Sequence, residues 1–209
     1  LVSGSYVPGK QIQELRQLER RYVKLSEQST NIEQQMDRLL HRCNIQITNY
    51  ATKIGSTSVI KVVRAITEGK TTAGQLSKLI HGRIRNKYKE KIEASLSGII
   101  SETDRFLFSQ YIREYDLNLS LQQECLMLMS EYCEKNFKKE IDLLCSIPGI
   151  QKLSAMIIIA ELGANLKTFV CPADLTGWAG LRPRNDQSAK KIKSNKITKG
   201  NKYIRRILV

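Results

Sequence analysis

Histidine is nearly absent from this chain of 209 residues, which contains only His41 and His81. Two histidines so far apart define no site, and His41 with Cys43 lacks the further ligands that a zinc centre needs. The five cysteines, Cys43, Cys125, Cys133, Cys145 and Cys171, include no Cys-x-x-Cys pair. An odd, unpatterned set argues against a disulfide framework or a zinc ribbon, so the chain reads as cytoplasmic, with reduced thiols. The longest uninterrupted apolar run, Ala155 to Ala160, has six residues, whereas a membrane span takes about 20. No membrane helix and no signal peptide are expected. Carboxylates are scarce late in the chain, where Glu161, Asp174 and Asp186 are the only ones beyond residue 142. A metal-dependent nuclease gathers several carboxylates around its ions, so no metal site and no cofactor are expected here.

What is present in excess is positive charge: 34 Lys plus Arg against 20 Asp plus Glu, a net of +14. With 41% hydrophobic residues the chain can build a real core, in one large domain or two small ones. The charge is unevenly spread. Residues 53–101 carry +7, residues 102–142 carry −4, and residues 181–209 hold ten Lys or Arg against one Asp, a net of +9. A clustered excess points to an anionic partner, most often nucleic acid. The tail also contains Pro183, Gly200, Tyr203, Ile204, Ile207 and Leu208, which suggests an ordered basic surface rather than a solvated tail.

From Gln11 to Cys43 there is no Gly or Pro, and Leu15, Leu18, Tyr22, Leu25, Ser29, Ile32, Met36, Leu39 and Cys43 alternate in steps of three and four. That spacing is the seam of a coiled-coil helix, interrupted only by Ser29. Phe108, Ile112, Tyr115, Leu119, Gln122, Leu126, Met129 and Cys133 repeat the pattern within a helix expected from about Thr103 to Cys145. Ser101 and Asp104 form a candidate capping box at its start. The two helices can pair within one chain or between copies, and a homo-oligomer held by the coiled coil is expected. Between them, residues 54–98 read as two or three short helices with a basic face at Arg83, Arg85, Lys87, Lys89 and Lys91. That face is either solvated or a nucleic-acid contact. No sustained period-two alternation occurs, so the fold class is all-α.

After Cys145 the segment Ser146-Ile147-Pro148-Gly149-Ile150 opens an apolar helix that Gly163 ends. This is a helix-hairpin-helix-like pattern, in which Gly149 sits in a tight turn that is either an ordinary corner or a cradle for a phosphate oxygen. Trp178, among Leu175, Ala179 and Leu181, reads as core, and Glu161, inside an apolar helix, reads as the buried partner of an arginine. Ser188 lies among Arg182, Arg184, Lys190 and Lys191, cations able to hold a phosphodiester, with Lys199, Arg205 and Arg206 following. No histidine stands nearby to activate it, and spacing alone does not promote Ser188 to a nucleophile.

The order of the pieces is more specific: Ile147-Pro148-Gly149-Ile150, Ala155, Glu161-Leu162-Gly163, Phe169, Gly177-Trp178-Ala179-Gly180-Leu181-Arg182-Pro183, Gln187-Ser188, Ile197-Thr198-Lys199-Gly200-Asn201 and Ile204-Arg205-Arg206. This succession resembles the C-terminal domain of bacterial transposases of the insertion-sequence 110, 116 and 902 group. The resemblance covers roughly 143–209, and residues 1–18 look like the segment that follows the family's nuclease domain. It implies a bacterial recombinase that catalyses DNA transposition, in which a RuvC-like domain with four acidic residues, expected to bind Mg, acts together with a serine on DNA chosen with a guide RNA. Ser188 matches that serine, which forms a transient phosphoserine link to DNA; Ala189 follows where the family has glycine.

On this reading residues 1–10 are the remnant of a linker after an absent nuclease domain, and 11–142 are the coiled-coil region with its insertion at 54–98. Residues 143–209 are a truncated C-terminal transposase domain. The chain is then a fragment that binds DNA and supplies Ser188 to a composite site without cleaving DNA unaided. The alternative is a non-catalytic nucleic-acid-binding helical module.

Overall fold

A computed structural model describes residues 7–51, 53–166, 169–183, 186–188, 191–194, 196–197 and 199–209; for Lys89 and for residues 186–188 and 191–194 it describes the backbone alone. In chain order the elements are α1 (Lys10–Arg42), a 3-10 turn (Ile47–Asn49), α2 (Thr57–Thr67), α3 (Ala73–Ser77), α4 (Gly82–Lys87) and α5 (Lys89–Ser95). There follow α6 (Glu102–Asn136), α7 (Lys138–Cys145), α8 (Lys152–Leu162), α9 (Pro172–Trp178), β1 (Asp186–Ser188), β2 (Lys191–Ser194) and α10 (Lys202–Leu208). The fold is all-α apart from one addition, an antiparallel hairpin of β1 and β2 extended by a bridge between Pro183 and Ile197. Strands of three and four residues are too short to display the alternation by which a sequence announces a sheet. The chain divides into two compact units: a middle unit, Val23–Glu124, and a terminal unit of the residues up to Tyr22 together with Cys125–Val209.

In the middle unit the expected seam forms from Leu25 to Cys43 and from Phe108 to Tyr115, but Leu119 is exposed and Asn118 is buried in its place. Ile32, Met36, Leu39 and Leu40 of α1 and Phe108, Ile112 and Tyr115 of α6 join Val59, Val62, Val63 and Ile66 of α2 in one buried cluster that Leu76, Ile92 and Leu96 complete. The two polar interruptions of the rows meet each other. Gln122 Nε2 donates to Ser29 Oγ at 2.6 Å, and Asn118 Nδ2 donates to Ser29 Oγ at 3.2 Å and to the Leu25 carbonyl at 3.0 Å. A buried polar contact of this kind fixes the register of two facing helices, because a slipped pairing would strand its donors. The capping box at the start of α6 is formed, with Asp104 N–H donating to Ser101 Oγ at 3.1 Å and Ser101 N–H to Asp104 Oδ2 at 3.0 Å. Arg42 pairs with the same carboxylate, and these bonds hold Asp104 down to about 2. The insertion contains four helices rather than two or three, since the run from Arg83 to Leu96 breaks at Tyr88 (φ −129°, ψ 31°) into α4 and α5.

The second long helix is shorter than its pattern predicts. It ends at Asn136, and Phe137 (φ −141°, ψ 26°) leaves helical geometry before α7 begins. Asn136 Nδ2 donates back to the Tyr132 carbonyl at 2.8 Å, the side-chain competition that disfavours asparagine in helices, and Phe137 is buried. In the terminal unit α8 is the centre. Ala155 through Ala160 are all buried, as befits a helix that is apolar on every side. Ile158 packs with Ala179 and Ile204, and Leu144, Ile150, Leu162, Leu181 and Ile207 close around them.

Candidate nucleic-acid interface

The basic C-terminal segment is anchored by a small number of specific contacts. The first is at Gly200. A Cβ there would lie 2.2 Å from the backbone nitrogen of Gly180 and 2.6 Å from the carbonyl carbon of Ala179, so only glycine allows this approach. Gly180 itself takes φ +72°. The contact brings the Lys199-Gly200 segment against the start of Gly180-Leu181-Arg182-Pro183, at the base of the hairpin that the Pro183–Ile197 bridge closes. Arg182 and Lys199 thereby come to the same end of the hairpin, both exposed. Lys191 pairs with Ser188 in the register of β1 and β2. Arg184 and Lys190 lie outside the described residues.

The second anchor is Asn201. Its N–H donates to the Trp178 carbonyl at 2.9 Å, and its Oδ1 accepts from the N–H groups of Tyr203 and Ile204 at 2.9 and 3.2 Å. This is an N-cap in its usual form, and it starts α10, whose last turn carries Arg205 and Arg206. Asn201 Nδ2 meanwhile donates to Glu161 Oε2. Trp178, expected in the core, is 38% exposed and edge-on to Phe169 at 5.8 Å; α9 is a single short helix, so its last turn is covered on one side only.

Glu161 is the third anchor and the most heavily partnered. It is 4% exposed, and its Oε1 lies 2.6 Å from Arg20 Nη2 and 4.0 Å from Arg16 Nε. Arg16 also caps α8, donating from Nε to the Ala160 carbonyl at 2.9 Å and from Nη2 to the Glu161 carbonyl at 3.0 Å, where Gly163 (φ +83°) ends the helix. Arg20 lies 3.0 Å above the Tyr203 ring and 3.1 Å from Glu19, a cation held between carboxylates and an aromatic face. Glu19 is fully buried, and burial pushes its carboxyl up to about 7, against the opposing pull of Arg20 and with a further push from Glu161; Arg16 and Arg206 also lower it. Glu161 had been expected to pair with an arginine. The identities of the partners, from a helix some 140 positions away, had not, and neither had Glu19 or Asn201. The signal for Glu19 was available: it stands four residues from Leu15 and four from Val23 on the apolar side of α1.

Gly149 belongs to a different element. Ile150 N–H donates to the Ile147 carbonyl at 3.1 Å, and Gly149 takes φ +92°, the turn for which a Pro-Gly pair is suited. A Cβ on Gly149 would meet nothing within 4 Å, so its glycine is required by the backbone and not by crowding. His81 is structural, its Nδ1 accepting from Arg83 N–H at the start of α4. Among the described residues no group of three or more His, Cys, Asp or Glu side chains is arranged to hold a metal ion. Nor, among them, is any helix long and apolar enough to cross a membrane.

The Transposase IS116/IS110/IS902 family matches residues 141–209. Over these residues, a third of the chain, the sequence is similar to that transposase family. The matched segment starts within α7 and takes in α8, α9, the hairpin and α10, so the Gly180–Gly200 contact and the Asn201 cap both lie inside it. No curated protein and no solved structure matches the chain. The partners of Glu161 on α1 fall outside the transposase match.

Proposed function

We propose that this chain is a DNA-binding portion of a transposase that presents Ser188 as nucleophile to a composite active site. The observation that carries the reading is the family match over 141–209, joined to the position of Ser188 at the end of β1, paired with Lys191. Arg182 and Lys199 stand at the base of that hairpin, and Arg205 and Arg206 on α10, which Asn201 and Glu161 anchor. Cations so fixed hold a phosphodiester and stabilise the charge that accumulates on its oxygens during attack. Ser188 Oγ forms a bond to phosphorus as the bond from phosphorus to one sugar oxygen breaks. The serine proton is lost, and the departing sugar oxygen takes one up. The turn at Gly149 offers the Gly149 N–H to a neighbouring phosphate, in the manner of a helix-hairpin-helix, the Ile147 and Ile150 N–H groups being bonded to carbonyls.

The acidic residues and the Mg of the chemistry come from a nuclease domain that acts with this portion, and a guide RNA selects the DNA. The test is made on the transposase with that domain present. Ser188→Ala is expected to abolish recombination and the covalent protein–DNA adduct while changing DNA affinity less than about threefold, because a serine hydroxyl contributes little beside several cations. Normal recombination by the variant would show that Ser188 is not the nucleophile.

A further inference from the structure

The tail holds about two thirds of the net charge, and the remainder is concentrated in the insertion of the middle unit. Helix α4 reads Gly82-Arg83-Ile84-Arg85-Asn86-Lys87, three cations and no acid. Its apolar residue, Ile84, packs on the buried cluster beneath, which leaves Arg83 and Lys87, four positions apart, on one exposed face. Two contacts bring further cations to the neighbourhood of α4. His81 N–H donates to Ser58 Oγ at 3.0 Å, tying the start of α4 to the first turn of α2, where Lys61 lies one turn beyond Ser58. Arg85, two positions from Arg83 and so on another side of the helix, reaches the Lys78 carbonyl at 3.5 Å with its Nη1, which sets it beside the end of α3. Lys87 Nζ sits 4.9 Å over the Tyr88 ring, which is braced by Tyr50 at 5.4 Å between ring centres.

Among the described residues these five cations have no ion pair with an acid. The acids of α5, Glu90 and Glu93, lie three apart on a separate helix, and Glu68 is taken by Lys70. The ion pairs of the middle unit join Arg42 to Asp104, Arg64 to Asp116, Lys70 to Glu68 and His41 to Asp37, and among the described residues none involves Lys61, Lys78, Arg83, Arg85 or Lys87. Like charges gathered on one region of a folded surface repel one another, a cost that a polyanion relieves. A lipid surface would call for exposed apolar side chains beside the cations, and Ile99 is the only exposed large hydrophobic residue described between 53 and 101. A phosphodiester backbone needs none.

We infer that α4 and its neighbours form a second nucleic-acid contact, in which Lys61, Arg83 and Lys87, flanked by Lys78 and Arg85, grip the phosphates of duplex DNA independently of the C-terminal tail. The surface lies outside the transposase match, and its failure is separable from failure of the Ser188 reading because a tail variant is measured beside it.

The experiment uses the whole chain and a duplex of about 30 base pairs, titrated by fluorescence anisotropy across a series of salt concentrations. The triple variant Lys61→Gln, Arg83→Gln, Lys87→Gln removes three exposed charges and leaves the Arg85 contact intact. Each phosphate contact contributes about 0.9 to the slope of log K against log salt. The variant is expected to flatten that slope by roughly 2 to 3 and to weaken binding by about tenfold near 0.1 M salt, with an unchanged helical circular dichroism melt. The charge-keeping variant Lys61→Arg, Arg83→Lys, Lys87→Arg is expected to bind as the parent does. Unchanged affinity and slope in the triple variant, while Lys199→Gln with Arg205→Gln weakens binding, overturns the inference and spares the tail. Weakened binding to a structured RNA with duplex binding intact overturns it as well.

Discussion

Replacing Glu161 by glutamine keeps the shape of the side chain and removes its charge beside two arginines and the Asn201 amide. Arg20 Nη2 approaches one carboxylate oxygen at 2.6 Å, with Arg16 Nε at 4.0 Å, and Asn201 Nδ2 donates to the other. A glutamine amide has one acceptor and one donor end, so in either orientation its NH2 faces the donor of Arg20 or of Asn201. Removing one partner of a buried ion pair costs about 3–5 kcal/mol. Arg16 and Arg20 side chains are each 31% exposed, and Glu19 remains beside Arg20, so solvent and that carboxylate recover part of the loss and the expected cost is about 2–3 kcal/mol. For a unit of roughly a hundred residues this lowers the melting temperature by about 10–20 °C. The cap of α10 loosens with it, so DNA affinity carried by Arg205 and Arg206 should fall while the contribution of α4 persists. Circular dichroism melting and anisotropy on the same sample check both. A melt within about 2 °C of the parent would mean that the cluster contributes nothing and that α10 is held by its apolar residues alone.

A second expectation concerns pH. The Glu19 carboxyl is raised from 4.5 to about 7 in the fold, so between those values the folded protein retains a proton that the unfolded chain releases, and stability falls as pH rises through that window. Glu19→Gln escapes the loss: it should match the parent near pH 4 and exceed it at pH 8, by about 3 kcal/mol at most, in urea unfolding at the two pH values. An equal effect at both would refute this account. Gly200→Ala places a Cβ 2.2 Å from Gly180 N, and the backbones must separate; the variant should melt several degrees lower and bind DNA less tightly, whereas Gly149→Ala, opposed only by its positive φ, should melt lower by a smaller margin.

The long helices were legible because burial along a helix repeats: most of the apolar rows are buried and their polar interruptions at Ser29 and Gln122 meet, although Leu119 faces solvent and Asn118 is buried instead. The cap at Ser101 and Asp104 was legible because it is local. The break at Phe137 was not, since its residue types continue the apolar pattern and only burial of the ring turns the chain. The hairpin was hidden by its shortness. In the candidate interface the cations could be read directly, but what fixes them could not. The approach of Gly200 to Gly180 and the meeting of Arg16 and Arg20 with Glu161 join positions far apart in sequence, and a residue's type does not say which distant residue it meets.

That last arrangement bears on how such a protein can change over generations. The recognisable transposase segment begins at residue 141, yet the carboxylate at its centre is neutralised by side chains contributed from the opposite end of the polypeptide. Heredity therefore acts on a pair of stretches at once: a recombination event that exchanged the segment alone would bring in a foreign glutamate without its matching arginines, so the first three turns of α1 must travel or co-vary with residues 141–209.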